Sequence, residues 1–411
     1  MDWSKVGQRI AELRKRYNVN QDEICKQLRI SRPILSEIEN GQRSPTVEQL
    51  IKLGELLGSR PYTYFLEVPT DSSPKINLQP LYRLAAAPVK RQTIEQNAVK
   101  LGETVEEFEK RVRFFLSVLE MSGAKLSQEW HEIRDACRNA GKKYPSGEDN
   151  RNLHARQLAS NLRFRLGYGE KAPAFDLQTR LEEIGIVTFL LDRDGQFHGA
   201  AYVYDAPDPS QKYAFIAVGI SRIPRMRFTL AHELAHILNH KTDAHLDRTL
   251  SDKTNLRETF ANAFAGEFLM PESGIREWWQ NTSDAKDTFD RALRLAAHFG
   301  VTVDAVVVRL QALGLVEQGT RDKLKIHRKE QRQDSARTTR AEFQRREEYR
   351  RELPLLYEAM CSELFRREEI TQGKLAELLF CSHIEAVERA QGILDQYAAD
   401  ENGRTERHKG E

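Results

Sequence analysis

The feature that most constrains this chain is the run Arg225-Met-Arg-Phe-Thr-Leu-Ala-His-Glu-Leu-Ala-His-Ile-Leu-Asn-His240, which sets His-Glu-x-x-His among apolar residues of helical period. Residues four apart on an α-helix lie on one face, one turn above each other. His232 and His236 can therefore direct two imidazoles at one cation. Glu233, beside them, is placed as the general base for a metal-activated water. Phe228, Leu230, Ala231, Leu234, Ile237 and Leu238 form an apolar stripe, which predicts a buried helix presenting its histidines from a rigid element. The bland alternative is a core helix with two satisfied histidines. His240, one turn beyond His236, is read as an exposed helix-end residue in preference to a partner of the ligands.

A metallohydrolase site needs a third protein ligand and an open position for water. Glu258 is the first choice, with Glu267 the rival and Glu272 a weaker one. It opens Glu-Thr-Phe-Ala-Asn-Ala-Phe-Ala-Gly-Glu-Phe-Leu-Met-Pro271, where Phe260, Ala261, Phe264, Ala265, Phe268 and Leu269 form a packing face and Pro271 ends the helix. Two imidazoles and a carboxylate make a gluzincin-like set that favours zinc and also accommodates manganese.

The string Arg-x-Arg-Phe-Thr-Leu-Ala-His-Glu-Leu-x-His, then Glu-x-x-Ala-Asn-x-Phe-Ala from Glu258, then Leu269-Met-Pro271, resembles the ImmA/IrrE family of metallopeptidases. Phe299-Gly-Val-Thr-Val-Asp, Arg309-Leu310 and Leu313-Gly-Leu315 resemble the end of the same domain, so the likeness runs over residues 151–316. It implies a zinc-dependent endopeptidase acting on a repressor or antitoxin-like protein, with His232, His236 and Glu258 on the metal and Glu233 as base.

Ahead of the helix, Gly185–Leu191, Gly199–Tyr204 and Tyr213–Val218 are short β-rich runs divided by turn residues, which predicts a small sheet. An edge strand beside such a helix would hold a substrate backbone, though the sequence does not say which strand. His198 and Tyr202 are read as surface polar residues near this sheet, with oxyanion donation as the alternative.

The N-terminus carries a second pattern. Helical apolar spacing runs through Val6, Ile10 and Leu13, then Ile24 and Leu28, then Leu35 and Ile38, then Leu50, Leu53, Leu56 and Leu57. Asn20 with Glu23, and Thr46 with Gln49, read as capping boxes, and Ser31 as an N-cap. Leu28-Arg-Ile-Ser31 has the length of a helix-turn-helix turn. Asn-Gln-Asp-Glu-Ile-x-x-x-Leu, followed by Ile-Ser-x-x-x-Leu-Ser-x-Ile-Glu-Asn-Gly-x-Arg-Ser-Pro-Thr, resembles the Cro/CI-type, or XRE, DNA-binding domain over residues 3–66. The resemblance implies a five-helix bundle and a double-stranded DNA partner. A recognition helix entering the major groove by its N-terminal end puts Arg32, Pro33, Ile34 and Glu37 toward the bases, with Leu35 and Ile38 inward. Gln21, Asn40 and Arg43 are then placed at phosphates, and Arg32 is the foremost base reader. Pro33 and Ile34 replace the polar residues usual there, which leaves direct readout either weak or resting on thymine methyl contacts. A bundle used for protein contacts is the alternative reading.

Composition bounds the remainder. A formal net charge of +2 over 411 residues does not advertise nucleic acid globally, so any such contact must be local. Cys25, Cys137, Cys361 and Cys381 have no paired spacing, which argues against a disulfide framework and a cysteine metal site. No segment has the length and apolarity of a membrane span, so a cytoplasmic protein without a membrane partner is expected. The expected fold is multidomain and mainly α with an α+β catalytic domain. Its parts are a helix-turn-helix domain at 1–69, a helical connector at 70–150 and a zincin-like peptidase domain at 151–316. A charged linker or helix at 317–352, a C-terminal helical domain at 353–397 and a disordered tail at 398–411 follow. Within the connector, Pro69–Pro74 reads as a linker that leads through Lys90-Arg91 into helical pattern, and Thr104–Glu107 as a capping box. Ile370–Leu379 echoes Asn20–Leu28 and reads either as a degenerate second helix-turn-helix or, preferred, as a small bundle for dimer or partner contact. The function expected is a DNA-binding transcriptional regulator with a metal-dependent endopeptidase. The alternative is a non-proteolytic repressor whose peptidase fold serves sensing or dimerisation.

Overall fold

Side-chain caps mark where the N-terminal helices begin. The computed structural model describes residues 3–16, 19–57, 65, 94–141, 148–191, 197–208, 211–239, 244–248, 256–285, 287–322 and 351–407, in two compact units, Met1–Ser117 and Val118–Glu411. The first unit opens with α1 (Trp3–Arg16), α2 (Gln21–Leu28), α3 (Arg32–Glu39) and α4 (Val47–Leu56). Asn20 Oδ1 accepts the Glu23 N–H at 2.8 Å, and Thr46 with Gln49 completes a reciprocal capping box. Ser31 stands at the N-cap of α3 without a side-chain bond, and Pro33 occupies the first turn, where a missing N–H costs nothing. Val6, Ile10, Leu13, Ile24, Leu28, Leu35, Ile38, Leu50 and Leu53 are buried together, one face of each helix as the spacing predicts. The expected fifth helix falls outside the described residues, as do Lys90-Arg91 and the Pro69–Pro74 linker.

The Thr104 capping box is a correction. Helix α5 runs unbroken from Ile94 to Ser122, and Thr104 is buried inside it. Gly102 lowers helix propensity, but Val105, Phe108, Val112 and Phe115 bury one face and carry the helix through.

In the second unit, α6 (Glu129–Gly141), α7 (Glu148–Arg165) and α8 (Leu177–Glu183) lead into β1 (Ile186–Leu191), β2 (Phe197–Asp205) and β3 (Lys212–Gly219). Then come α9 (Ile223–Asn239), β4 (Ala244–Arg248), α10 (Leu256–Leu269), α11 (Glu272–Asn281), α12 (Thr288–Phe299) and α13 (Val303–Ala312). The sheet order is β1-β3-β2-β4, with β1 parallel to β3 and β2 antiparallel to both of its neighbours. β4 was not anticipated, because Ala244-His-Leu-Asp-Arg248 lacks the β-branched or aromatic content of the other three. Trp130, Ile133 and Cys137 of α6 join the same core as Leu230 and Leu234 of α9 and Phe264 of α10, so the expected connector contributes a helix to this body. The outer edge of β1 is met by the returning chain, where Leu190 N–H donates to Glu352 O at 3.1 Å.

Three buried arginines tie the helices to loop backbone. Arg227 donates to the carbonyls of Phe299, Gly300 and Ala174, Arg163 to those of Gly169, Ala172 and Phe268, and Arg309 to Met270 O and Glu267. Burial lowers the Arg163 pKa to about 10, so it remains charged at neutral pH.

The chain ends in α14 (Leu355–Arg366), α15 (Gln372–Leu379) and α16 (His383–Arg407). The backbone of this region repeats that of α2 and the start of α3, a likeness that leaves both readings of its role in place. Thr371 caps α15 as Asn20 caps α2, both helices have eight residues, and Phe380 (φ 56°) ends one in the left-handed region as Arg29 (φ 54°) ends the other. Cys381 N–H reaches back to Ala376 O as Ile30 N–H does to Cys25 O, and Ala386 N–H bonds Ser382 O as Leu35 N–H bonds Ser31 O. The tail expected to be disordered continues α16 to Arg407. Its Ala, Glu and Arg content extends a helix already nucleated, and residues 408–411 lie outside the described set. Residues 323–350 of the expected charged linker lie outside it too.

Replacing Arg227 by Met strands three buried carbonyl oxygens. It is expected to cost at least about 3 kcal/mol, measured by denaturant unfolding of the full chain.

Candidate metal centre and nucleic-acid interface

α9 is buried from Met226 to Leu238 apart from a half-exposed Phe228. Its histidines point between α9 and α10, where Glu258 occupies the first turn of α10. His232 Nε2 lies 3.0 Å from His236 Nε2 and 3.1 Å from Glu258 Oε2, and His236 Nε2 lies 3.6 Å from Glu258 Oε1. All three residues are buried and their ligand atoms fall within 4.8 Å of one another. Metal–ligand bonds of about 2.0–2.2 Å in a tetrahedron separate ligand atoms by about 3.3 Å, so these spacings fit a single divalent cation. The donor set of two imidazoles and one carboxylate suits zinc.

Asn262 orients the first ligand. Its Oδ1 accepts from His232 Nδ1–H at 3.1 Å, which leaves the Nε2 lone pair facing His236 and Glu258. Sequence reasoning quoted Asn262 without giving it a role; the available signal was its place one turn after Glu258 on the same helix. The other two carboxylates considered for the metal are engaged elsewhere. Glu267 pairs with Arg309 and accepts the Glu272 N–H, and Glu272 pairs with Arg276. His240 lies outside the described residues.

Glu233 is fully buried on the same helix and faces β2. A Cβ at Gly199 would stand 2.9 Å from Glu233 Oε1 and 2.7 Å from Thr229 Cγ2, so the strand can approach the carboxylate this closely only at a glycine. His198 takes a hydrogen bond from Arg225, whereas Tyr202 is buried in the sheet.

In the helix-turn-helix, Arg32 and Pro33 are exposed at the start of α3, Glu37 is half-buried, and Ile34 is half-buried against the core. Arg32 pairs with Asp22 at 2.7 Å, an exposed bridge that costs little to break. Arg43 reaches Glu37 at 3.4 Å and Asn40 donates to Ser36 Oγ at 3.3 Å. Gln21 is turned inward instead. Its Nε2 donates at 2.9 Å to Glu39, which is buried and also paired with Arg14 at 2.6 Å. A buried carboxylate requires such donors, and the sequence reading did not foresee it.

Residues 181–311 match the family described as IrrE N-terminal-like domain, and residues 10–65 the family described as Helix-turn-helix. The uncharacterized HTH-type transcriptional regulator y4dJ of Sinorhizobium fredii is 37% identical over 75 residues, 18% of this chain and 95% of that protein. The crystal structure of Bacillus thuringiensis PlcR in complex with the peptide PapR7 and DNA aligns over 98% of both chains at 13% identity. Its TM-score of 0.19 is too low to define a common fold. No helix among the described residues is long and apolar enough to cross a membrane.

Asn262→Ala is expected to weaken zinc binding about 10–100-fold with the fold retained. Competition against a chromophoric chelator, with circular dichroism alongside, measures both.

Proposed function

We propose that this chain, which belongs to the XRE-type helix-turn-helix regulators and carries an IrrE-like peptidase domain, couples DNA binding to metal-dependent cleavage of a repressor or antitoxin-like protein. The observation that carries the reading is the convergence of His232, His236 and Glu258 in one buried cluster, with Glu233 on the same helix as the two histidines. Those three residues would hold a divalent ion, zinc or manganese, which would supply Lewis acidity toward water and a scissile carbonyl. Glu233 takes the proton from the attacking water and returns it to the leaving amine. Asn262 holds His232 in the tautomer that exposes Nε2 to the metal. The substrate backbone adds beside β4, the edge strand that follows the histidine helix.

On the DNA side, Arg32, Pro33, Ile34 and Glu37 read the major groove. Asn40 and Arg43 hold phosphates, and Gln21 does so only by releasing Glu39. Two copies would meet a two-fold operator.

The decisive experiment incubates the full-length protein with proteins encoded beside its gene, with and without chelator. A fragment that chelator abolishes is expected, and Glu233→Gln should slow its appearance about 10²–10⁴-fold while metal content stays at wild type. A Glu233→Gln protein that cleaves as fast as wild type would falsify the mechanism. Arg32→Ala is expected to cost about 1–3 kcal/mol against DNA from the upstream region of the gene, measured by fluorescence anisotropy at fixed salt.

A further inference from the structure

Arg32 and Asp22 join α2 to α3 by two parallel contacts. Arg32, the first residue of α3, places Nε 2.7 Å from Asp22 Oδ1 and donates from Nη2 to Asp22 Oδ2 at 2.9 Å. Asp22 lies in the first turn of α2, and both side chains are largely exposed, at 62% for Arg32 and 68% for Asp22. The fold does not need this bridge. α2 and α3 already bury Ile24, Leu28, Leu35 and Ile38 in a common core, and an exposed ion pair adds little to stability. In the docking of a helix-turn-helix the first helix of the pair crosses the DNA backbone, where an unpaired carboxylate repels phosphate. An acid kept there needs a reason other than packing.

The geometry of the pair supplies one. A guanidinium carries its N–H donors in one plane, along distinct edges. The carboxylate takes the edge formed by Nε and Nη2, which leaves the edge formed by Nη1 and Nη2 with two parallel N–H groups. That free edge is the fork that grips O6 and N7 of guanine. Among the described residues no other group bonds the Arg32 guanidinium. Two contacts to a single carboxylate also fix the guanidinium plane, so less side-chain freedom is left to lose when DNA arrives.

We propose that Asp22 is a positioning residue that presents the free edge of Arg32 to a guanine in the major groove. This rests on the DNA-binding reading above and deepens it by naming the base read and the residue that aims its reader. Water leaves as α3 enters the groove, which strengthens the attraction between the two charges and keeps the bridge through recognition. Because the pair is neutral, it reads a base without adding to phosphate attraction, which falls to Asn40 and Arg43.

The test selects bound sequences from a randomised double-stranded DNA library with the full-length protein. Fluorescence anisotropy on the selected site and on a shuffled duplex, over a salt series, then measures each variant. Wild type is expected to select guanine at the position that Arg32 reads, and Arg32→Ala to erase the preference at that position alone. Asp22→Ala should lower the guanine preference there about two- to tenfold and leave the other positions as they were. It should also tighten binding to the shuffled duplex, with a salt slope steeper by about one, since the freed guanidinium then meets phosphate. Asp22→Asn, which keeps a single acceptor oxygen, should fall between. Thermal melting of each variant separates this from damage to the fold, which would weaken every position together. Absence of a guanine preference in wild type, a preference that Asp22→Ala or Arg32→Ala leaves unchanged, or a loss spread evenly over the site overturns the positioning role while leaving the DNA-binding reading intact. If wild type binds neither the selected nor the shuffled duplex, the DNA-binding reading falls and the positioning role falls with it.

Discussion

Two imidazoles and a carboxylate can face one point inside a protein only if the helices that carry them are fixed against each other to a fraction of an ångström. That demand organises the second unit. α9 and α10 bury their apolar faces in a common core, and Arg227 and Arg309 bind the ends of these helices to loops that would otherwise leave carbonyl groups unsatisfied. The three candidate ligands thus rest on rigid elements whose relative placement is set by packing and by guanidinium bridges, with Asn262 holding the His232 ring through Nδ1.

Local periodicity made the elements legible. The four-residue histidine spacing, the start of α10 at Glu258, the apolar rows of α1 to α4 and the caps at Asn20 and Thr46 are all short-range features, and the corresponding elements are present in the structure. What escaped the sequence is long-range. Glu39 is buried with Arg14 and Gln21 reaching it from other helices, an engagement of Gln21 that its sequence position did not signal. Gly199 matters because a strand and a helix distant in sequence close to within one atom's width. β4 depends on a neighbour more than on its own composition, and Thr104 followed tertiary burial over the local signal of a helix start.

A bulge in β2 at His198 shows how one extra residue serves two neighbours. It leaves Gly199 flat against the glutamate and sends His198 to the arginine of the same helix. A regular strand would give one of these at the expense of the other, since successive side chains point to opposite faces.

The C-terminal helices α14 to α16 repeat the backbone of the N-terminal helix-turn-helix with different side chains. Where the first copy places Lys26, Arg29 and Arg32, the second has Glu377, Phe380 and His383, and its third helix goes on to Glu385 and Glu388. The backbone recurs while these cationic side chains do not, so the second copy lacks the positive charge with which the first would meet a polyanion.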